Sequence, residues 1–293
     1  MKKCKTLLGK LLKKSRRRPK LDDPASTPRS EKPVPHGPVE PQDKCLLIAK
    51  LPKELRLLIY EAVLVEQDRP MHIVPHDDSS GRVGHKRCTD RASEAPVWQH
   101  QCYGRWAEPG IGIVHLPFPP SDDQLLSLPL TCRLMYLDAL GILYDRTEFS
   151  FKGARGIIAL NSQIPIQNWH LMRRLHISTM FLTPTTYWSW RENMPPESPG
   201  KWLTACEALH NLHHLRSLSL DLILRDTFHR EDPEAIDNAS WIYVLGPLKD
   251  IEAVHYLIEL NFIPPEPVLR TLTPYSFCLT QRLRPYKRSA FCV

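Results

Sequence analysis

Between residues 51 and 64 the chain reads Leu-Pro-Lys-Glu-Leu-Arg-Leu-Leu-Ile-Tyr-Glu-Ala-Val-Leu, and its apolar positions follow a helical period. Leu55, Leu58, Ile59 and Ala62 fall at i, i+3, i+4 and i+7, one face of a helix, while Leu57 and Leu64 add a second apolar edge. Pro52 suits the first turn, where its missing N–H has no intrahelical partner, and Leu51 just outside can staple back onto it. The pattern predicts a helix over 52–65 covered on more than one side. A second helix is predicted over 128–144, with Pro129 in its first turn and Cys132, Tyr136, Ala139, Leu140 and Leu143 on one face. Met71–Val74 and Thr147–Phe151 alternate as short strands, the first suited to a sheet edge, and a short helix over 154–161 should follow.

Further on, three segments share one apolar spacing: Met172-x-x-Leu175-x-Ile177, Leu215-x-x-Leu218-x-Leu220 and Ile251-x-x-Val254-x-Tyr256. A helix over 201–212, with Trp202, Ala205, Cys206, Leu209 and Leu212 on one face, leads into the second of them. Helix followed by strand, several times over, is the stacking of a leucine-rich-repeat type of unit, although starts at 172, 215 and 251 are too far apart and too uneven for a regular one. The expected fold class is α+β, a small mixed sheet, partly parallel, backed by helices; an unrelated α+β sheet with coincidental spacing is the alternative. Residues 75–125 are rich in His, Pro, Gly and Asp without a sustained period and predict a long polar insertion, with Trp98, Tyr103 and Trp106 packing on the body. After Pro264-Pro265 the end of the chain, with Arg282, Arg284, Lys287 and Arg288, is basic.

Charge divides the chain more sharply than hydropathy does. Of the net +7, residues 1–44 carry 13 Lys+Arg against 5 Asp+Glu, or +8, and the remaining 249 residues carry 26 against 27, or −1. Residues 1–44 are thus expected to be a basic tail and a Pro-rich linker, and residues 45–293 a single domain. An argument for nucleic-acid binding applies to the tail and not to the body. Lys13, Lys14, Arg16, Arg17, Arg18 and Lys20 form a basic cluster of the nuclear-localisation kind. Leu7, Leu8, Leu11 and Leu12 share a helical face that suits an anionic membrane surface or a calmodulin-type partner; a mitochondrial presequence and a plain solvated tail remain open. Lysines break the apolar patches of a secretory signal, and no run approaches the roughly 18 apolar residues of a membrane span. The eight dispersed cysteines then read as reduced thiols in a nuclear or cytoplasmic setting, with Cys132 and Cys206 as small core residues.

The Leu-Pro-x-Glu-Leu-Arg opening at 51–56 and the Ile-Tyr-x-x-Val-Leu run after it resemble the start of F-box domains. Together with Leu130-Thr131-Cys132-Arg133-x-x-Tyr136-x-x-Ala139-x-x-x-Leu143-Tyr144 and the following Phe149-Ser150-Phe151, they resemble a fungal group of uncharacterised F-box-like proteins, over about residues 45–180. The resemblance implies F-box-like helices leading into the sheet, and a helix whose Leu51, Pro52, Leu55, Leu58 and Ile59 dock a Skp1-type adaptor. The repeat-like sheet of 168–262 would then hold a protein substrate for ubiquitination. An F-box is one uninterrupted helical bundle, whereas the polar insertion follows the opening helix here. The alternative for the same five residues is the domain's own core.

No signature of an enzyme accompanies this pattern. Gly110-Ile111-Gly112 lacks the rest of a phosphate-binding loop, and there is no Walker lysine, nucleophile elbow or His-Glu-x-x-His helix. The metal-ligand candidates are His85-x-x-Cys88 and His100-x-Cys102, but the one-residue spacer is tight for a zinc loop and no Cys-x-x-Cys supports it. Ordinary loop residues are the expectation, with no metal and no cofactor. His210, His213 and His214 suit a helix end. Tyr187-Trp188-Ser189-Trp190-Arg191 suits a packed hydrophobic corner better than an RNA platform in a body without net positive charge. The sequence thus predicts a non-enzymatic interaction scaffold, with a nuclear or membrane-surface protein acting through its basic tail as the second reading.

Overall fold

Alternating strands and amphipathic helices build an α+β fold of eight α-helices and a seven-stranded mixed sheet among the described residues. The computed structural model describes residues 46–66, 68–75, 82–90, 92–100, 102, 125, 127–183, 199–226, 234 and 236–285. Every element named below belongs to the unit Gln42–Val293. The basic cluster of residues 13–20 and the aromatic run of 187–191 lie outside the described residues. The helices are α1 (Leu46–Lys50), α2 (Lys53–Leu64), α3 (Arg133–Arg146), α4 (Gly153–Gln163), α5 (Ile166–Trp169), α6 (Pro199–His210), α7 (Asn238–Leu245) and α8 (Glu266–Leu272). The strands are β1 (Met71–Pro75), β2 (Val83–Arg87), β3 (Glu148–Lys152), β4 (Arg174–Thr183), β5 (Leu215–Asp226), β6 (Ala253–Leu260) and β7 (Cys278–Gln281).

In the sheet the strands run β2-β1-β3-β4-β5-β6-β7; β1 and β2 are antiparallel and every other pair is parallel. From β1 onward each strand lies beside the previous strand of the parallel series. Parallel crossovers are right-handed, so a sheet laid down in one direction collects its helices on one face. Side-chain alternation agrees. Phe149, Phe151, Leu175, Ile177, Leu218, Leu220, Tyr256 and Ile258 join one core with Ile157, Leu160, Trp202, Leu209, Trp241 and Val244 of the helices. The intervening positions carry Ser150, His176, Ser178, Ser219, Asp221 and Glu259 to the other face.

Successive helix–strand units are pinned by tryptophans. Trp169 Nε1 donates to Ala208 O at 3.1 Å, and Trp202 Nε1 to Val244 O at 3.0 Å. Both acceptors lie in the last turns of α6 and α7, where carbonyls have no intrahelical donor. At the far end of β5 the Asn261 amide extends the ladder: Leu224 N donates to Asn261 Oδ1 at 2.9 Å, and Asn261 Nδ2 donates to Leu224 O at 2.7 Å. Asn261→Leu would leave both backbone groups unpaired in a buried position, an expected loss of about 1–3 kcal/mol by denaturant titration.

Several expectations are corrected. The insertion is partly built: Val83–Arg87 pair with β1, which is therefore an inner strand, and Val97–Gln99 form a 3-10 turn. As the sheet edge, β2 is mostly half-exposed, so it shows no apolar alternation. Cys132 is the N-cap of α3, where Met135 N donates to its Sγ at 3.4 Å, and Tyr136 is exposed. In β6 the repeat is two residues out of register, for Leu218 lies beside Tyr256 and Val254 is exposed.

The largest correction concerns α2. Its inward residues are Arg56, Tyr60 and Leu64, at i, i+4 and i+8, while Leu55, Leu58, Ile59 and Val63 are exposed. Polar anchors set this rotation. Arg56 donates to Ile48 O at 3.2 Å and faces Asp138 of α3 at 3.6 Å. Arg87 caps the other end, donating to Leu64 O at 2.5 Å and pairing with Glu66 at 3.1 Å.

Candidate functional site

Two surfaces carry chemistry. The first is the outer face of α2. Leu55 is 47%, Leu58 62%, Ile59 37% and Val63 53% exposed, a stripe two turns long, with Pro52 exposed and Leu51 half-buried at its N-terminal end. The five residues expected from the sequence are thus together on one helix end, and none of them is buried. The helix beneath, α3, also turns Tyr136 and Leu137 outward.

The second is the face of the sheet that is helix-free among the described residues, covered in part by the residues between Cys88 and Cys102. Trp98, fully buried, anchors that segment: its backbone N donates to Ser178 Oγ at 3.1 Å, and Ser178 Oγ donates to Asp221 Oδ2 at 3.0 Å. Arg284 faces Asp221 at 3.5 Å and also binds Glu259, which takes a second bond from Arg282 at 3.0 Å. Burial pushes the Asp221 carboxyl above the usual carboxylate range, against the pull of Arg284 and the Ser178 hydroxyl; nearby Glu259 adds to the rise. A carboxyl raised in this way holds its proton more tightly folded than unfolded. Its ionisation weighs against the fold, by nothing below the unfolded value of about 4 and fully above the folded value. Asp221→Asn keeps an acceptor for Ser178 and leaves Arg284 on Glu259. The variant should melt with wild type at about pH 3 and above it at pH 7, as thermal scans at the two pH values would register.

Beside this network, His72, Cys88, His100 and Cys102 converge, each of them buried. Their ligand atoms all lie within 4.8 Å of one another. Cys88 Sγ is 3.5 Å from His100 Nδ1 and 3.9 Å from Cys102 Sγ. The Cys102 thiol is pulled well down by its hydrogen bond with Cys88 and by the imidazoles of His100 and His72, against the opposing effect of burial. That same bond and burial push Cys88 up.

Of the ligand set weighed from the sequence, the structure brings together Cys88, His100 and Cys102, and puts His72 where His85 was expected. His72 lies on β1, across the hairpin, and points to the helix-free face; His85 sits opposite Ile73 on β2 and is not in the cluster. Counting spacers along the chain could not find His72. Pairing Met71 with Arg87 does, because it sets the next residue of each strand end near the other.

The model of a family described as Domain of unknown function (DUF7730) matches residues 40–258, about three quarters of the chain. The chain belongs to this family. The DUF7730 match runs from before α1 to Ile258 in β6, and so includes both the α2 stripe and the His/Cys cluster. No curated protein and no solved structure matches the chain. Among the described residues no helix is long and apolar enough to cross a membrane.

Proposed function

We propose that this DUF7730 member is a non-enzymatic interaction scaffold, an F-box-type substrate adaptor of a ubiquitin ligase. In this reading the outer face of α2 docks a Skp1-type adaptor, and the stacked helix–strand units, leucine-rich-repeat-like in their order, present a protein substrate. The observation that carries it is the exposed stripe of Leu55, Leu58, Ile59 and Val63 on a helix whose inward side is held by Arg56 and Tyr60. Four large apolar side chains in one stripe on a solvent-facing helix are what a docking surface needs and a core does not. The wording Leu51-Pro52-Lys53-Glu54-Leu55-Arg56, with its resemblance to fungal F-box-like proteins, points to the adaptor as occupant. The basic cluster of residues 13–20 is of the nuclear-localisation kind, and the dispersed cysteines suit a nuclear or cytoplasmic setting.

The test is capture of a purified Skp1-type adaptor by the full chain, beside Leu55→Asp/Leu58→Asp and a known F-box protein as control. Both positions are exposed, so the variant should melt with wild type. Burying these side chains contributes about 1.5–3 kcal/mol each, so their loss should weaken binding by at least about tenfold. If wild type takes up no adaptor while the control does, the docking reading fails. It also fails if the double variant binds as tightly as wild type.

A further inference from the structure

We propose that His72, Cys88, His100 and Cys102 bind one zinc ion, which fastens the chain of residues 88–102 to the helix-free face of the sheet. Geometry carries the assignment. Zinc bonds are about 2.3 Å to sulfur and about 2.0–2.1 Å to nitrogen, so tetrahedral ligands stand about 3.8 Å apart for two sulfurs and about 3.6 Å for sulfur and nitrogen. The two thiols lie 3.9 Å apart, and Cys88 Sγ lies 3.5 Å from His100 Nδ1. Four donors that all lie within 4.8 Å of one another surround a space of the right size for a single ion. The donors are also of the right kind. Two thiolates balance the charge of a divalent ion, so a neutral centre is buried, and a tetrahedral S2N2 set selects zinc over the hard cations.

The fold gives such an ion a structural task. Among the described residues of 88–102 the buried apolar side chains are Cys88, Pro96, Trp98 and Cys102, and two of these four are in the cluster. The four ligands come from three places, the inner strand β1, the residue just after β2 and the two positions 100 and 102 that follow the 3-10 turn, so one ion would tie the hairpin, the turn and the sheet together. Closed four-ligand sites of this composition stabilise folds and leave no open position for a substrate. The site is therefore structural, and it stands whether or not α2 docks an adaptor.

The experiment measures zinc in the untagged full chain, purified under reducing conditions and exposed to zinc, with elemental analysis of wild type, Cys88→Ser/Cys102→Ser, His72→Ala and His85→Ala. One zinc per chain is expected in wild type and in His85→Ala, and less than about a tenth of that in the double cysteine variant. A thiol-blocking mercurial added to folded wild type should release one zinc, which keeps the test sound where a variant fails to fold. Cobalt substituted for zinc should show the charge-transfer absorption of a thiolate site, and chelation should lower the melting temperature. Wild type without zinc, zinc retained by the double cysteine variant, or a Cys88–Cys102 disulfide in the freshly purified protein would each overturn the proposal. Loss of zinc in His85→Ala with retention in His72→Ala would overturn the ligand assignment.

Discussion

Trp202→Ala should cost about 3–5 kcal/mol, a large part of the roughly 5–15 kcal/mol that holds a domain folded. Trp202 is fully buried on α6 and meets Phe181 of β4 edge to face, with ring centres 5.1 Å apart. Its indole N–H satisfies Val244 O in the last turn of α7. One side chain thus ties a strand, its own helix and the helix of the following unit. Alanine removes the ring, opens a cavity between layers that cannot close independently, and leaves the Val244 carbonyl without its donor. Trp202→Phe separates these effects. It keeps most of the apolar surface, so its loss should be nearer about 1–3 kcal/mol, the cost of an unsatisfied buried acceptor. Urea titrations of the three proteins would measure both steps. A Trp202→Ala protein within about 0.5 kcal/mol of wild type would show that the unit boundary is not where stability resides.

Arg56→Met is expected to cost about as much, for a different reason. The guanidinium lies between Ile48 O and Asp138, whose side chain is only 12% exposed. Methionine fills much of the same volume but leaves the Asp138 carboxylate nearly buried with no opposing charge, which costs about 3–5 kcal/mol. Replacing the partner as well, in Arg56→Met/Asp138→Leu, removes the stranded charge and should restore most of the loss, since apolar pairs of similar volume replace buried ion pairs with little penalty. The double-mutant cycle is the deciding measurement. Equal losses for single and double variants would mean that Arg56 acts through packing and not through Asp138.

These two residues also mark where reading the chain succeeds and where it stops. The helical period over 51–64 is genuine, and α2 forms there, but a period identifies an apolar face without saying that this chain covers it. Arg56 and Tyr60, which decide the rotation, look like outer-face residues until Asp138, 82 positions later, is placed beside them. Strands β3, β4 and β5 were legible because their two faces differ in polarity, apolar toward the helices and Ser, His or Asp on the other side. In β6, Val254 imitates the core position that Tyr256 occupies, so matching apolar residues shifts the register by two. The helix α7 has no useful period because Trp241, Ile242, Val244 and Leu245 make it apolar nearly all round. Of the His/Cys cluster, Cys88, His100 and Cys102 can be picked out from spacing, although the one-residue spacer argues there for ordinary loop residues. The fourth is supplied by strand pairing, which local spacing does not encode.

That the parallel strands follow one another across the sheet in chain order has a consequence for synthesis. Units beginning at β4, β5 and β6 start at residues 174, 215 and 253, so each needs about 40 residues of new chain. At about 5–20 residues per second, a unit takes roughly 2–8 s to leave the ribosome, far longer than a local helix or strand contact takes to form. Each arriving strand meets an edge that is already in place and waits for nothing further downstream. The growing molecule therefore offers only one unfinished parallel edge at a time, and the segment next out of the tunnel is the one that covers it.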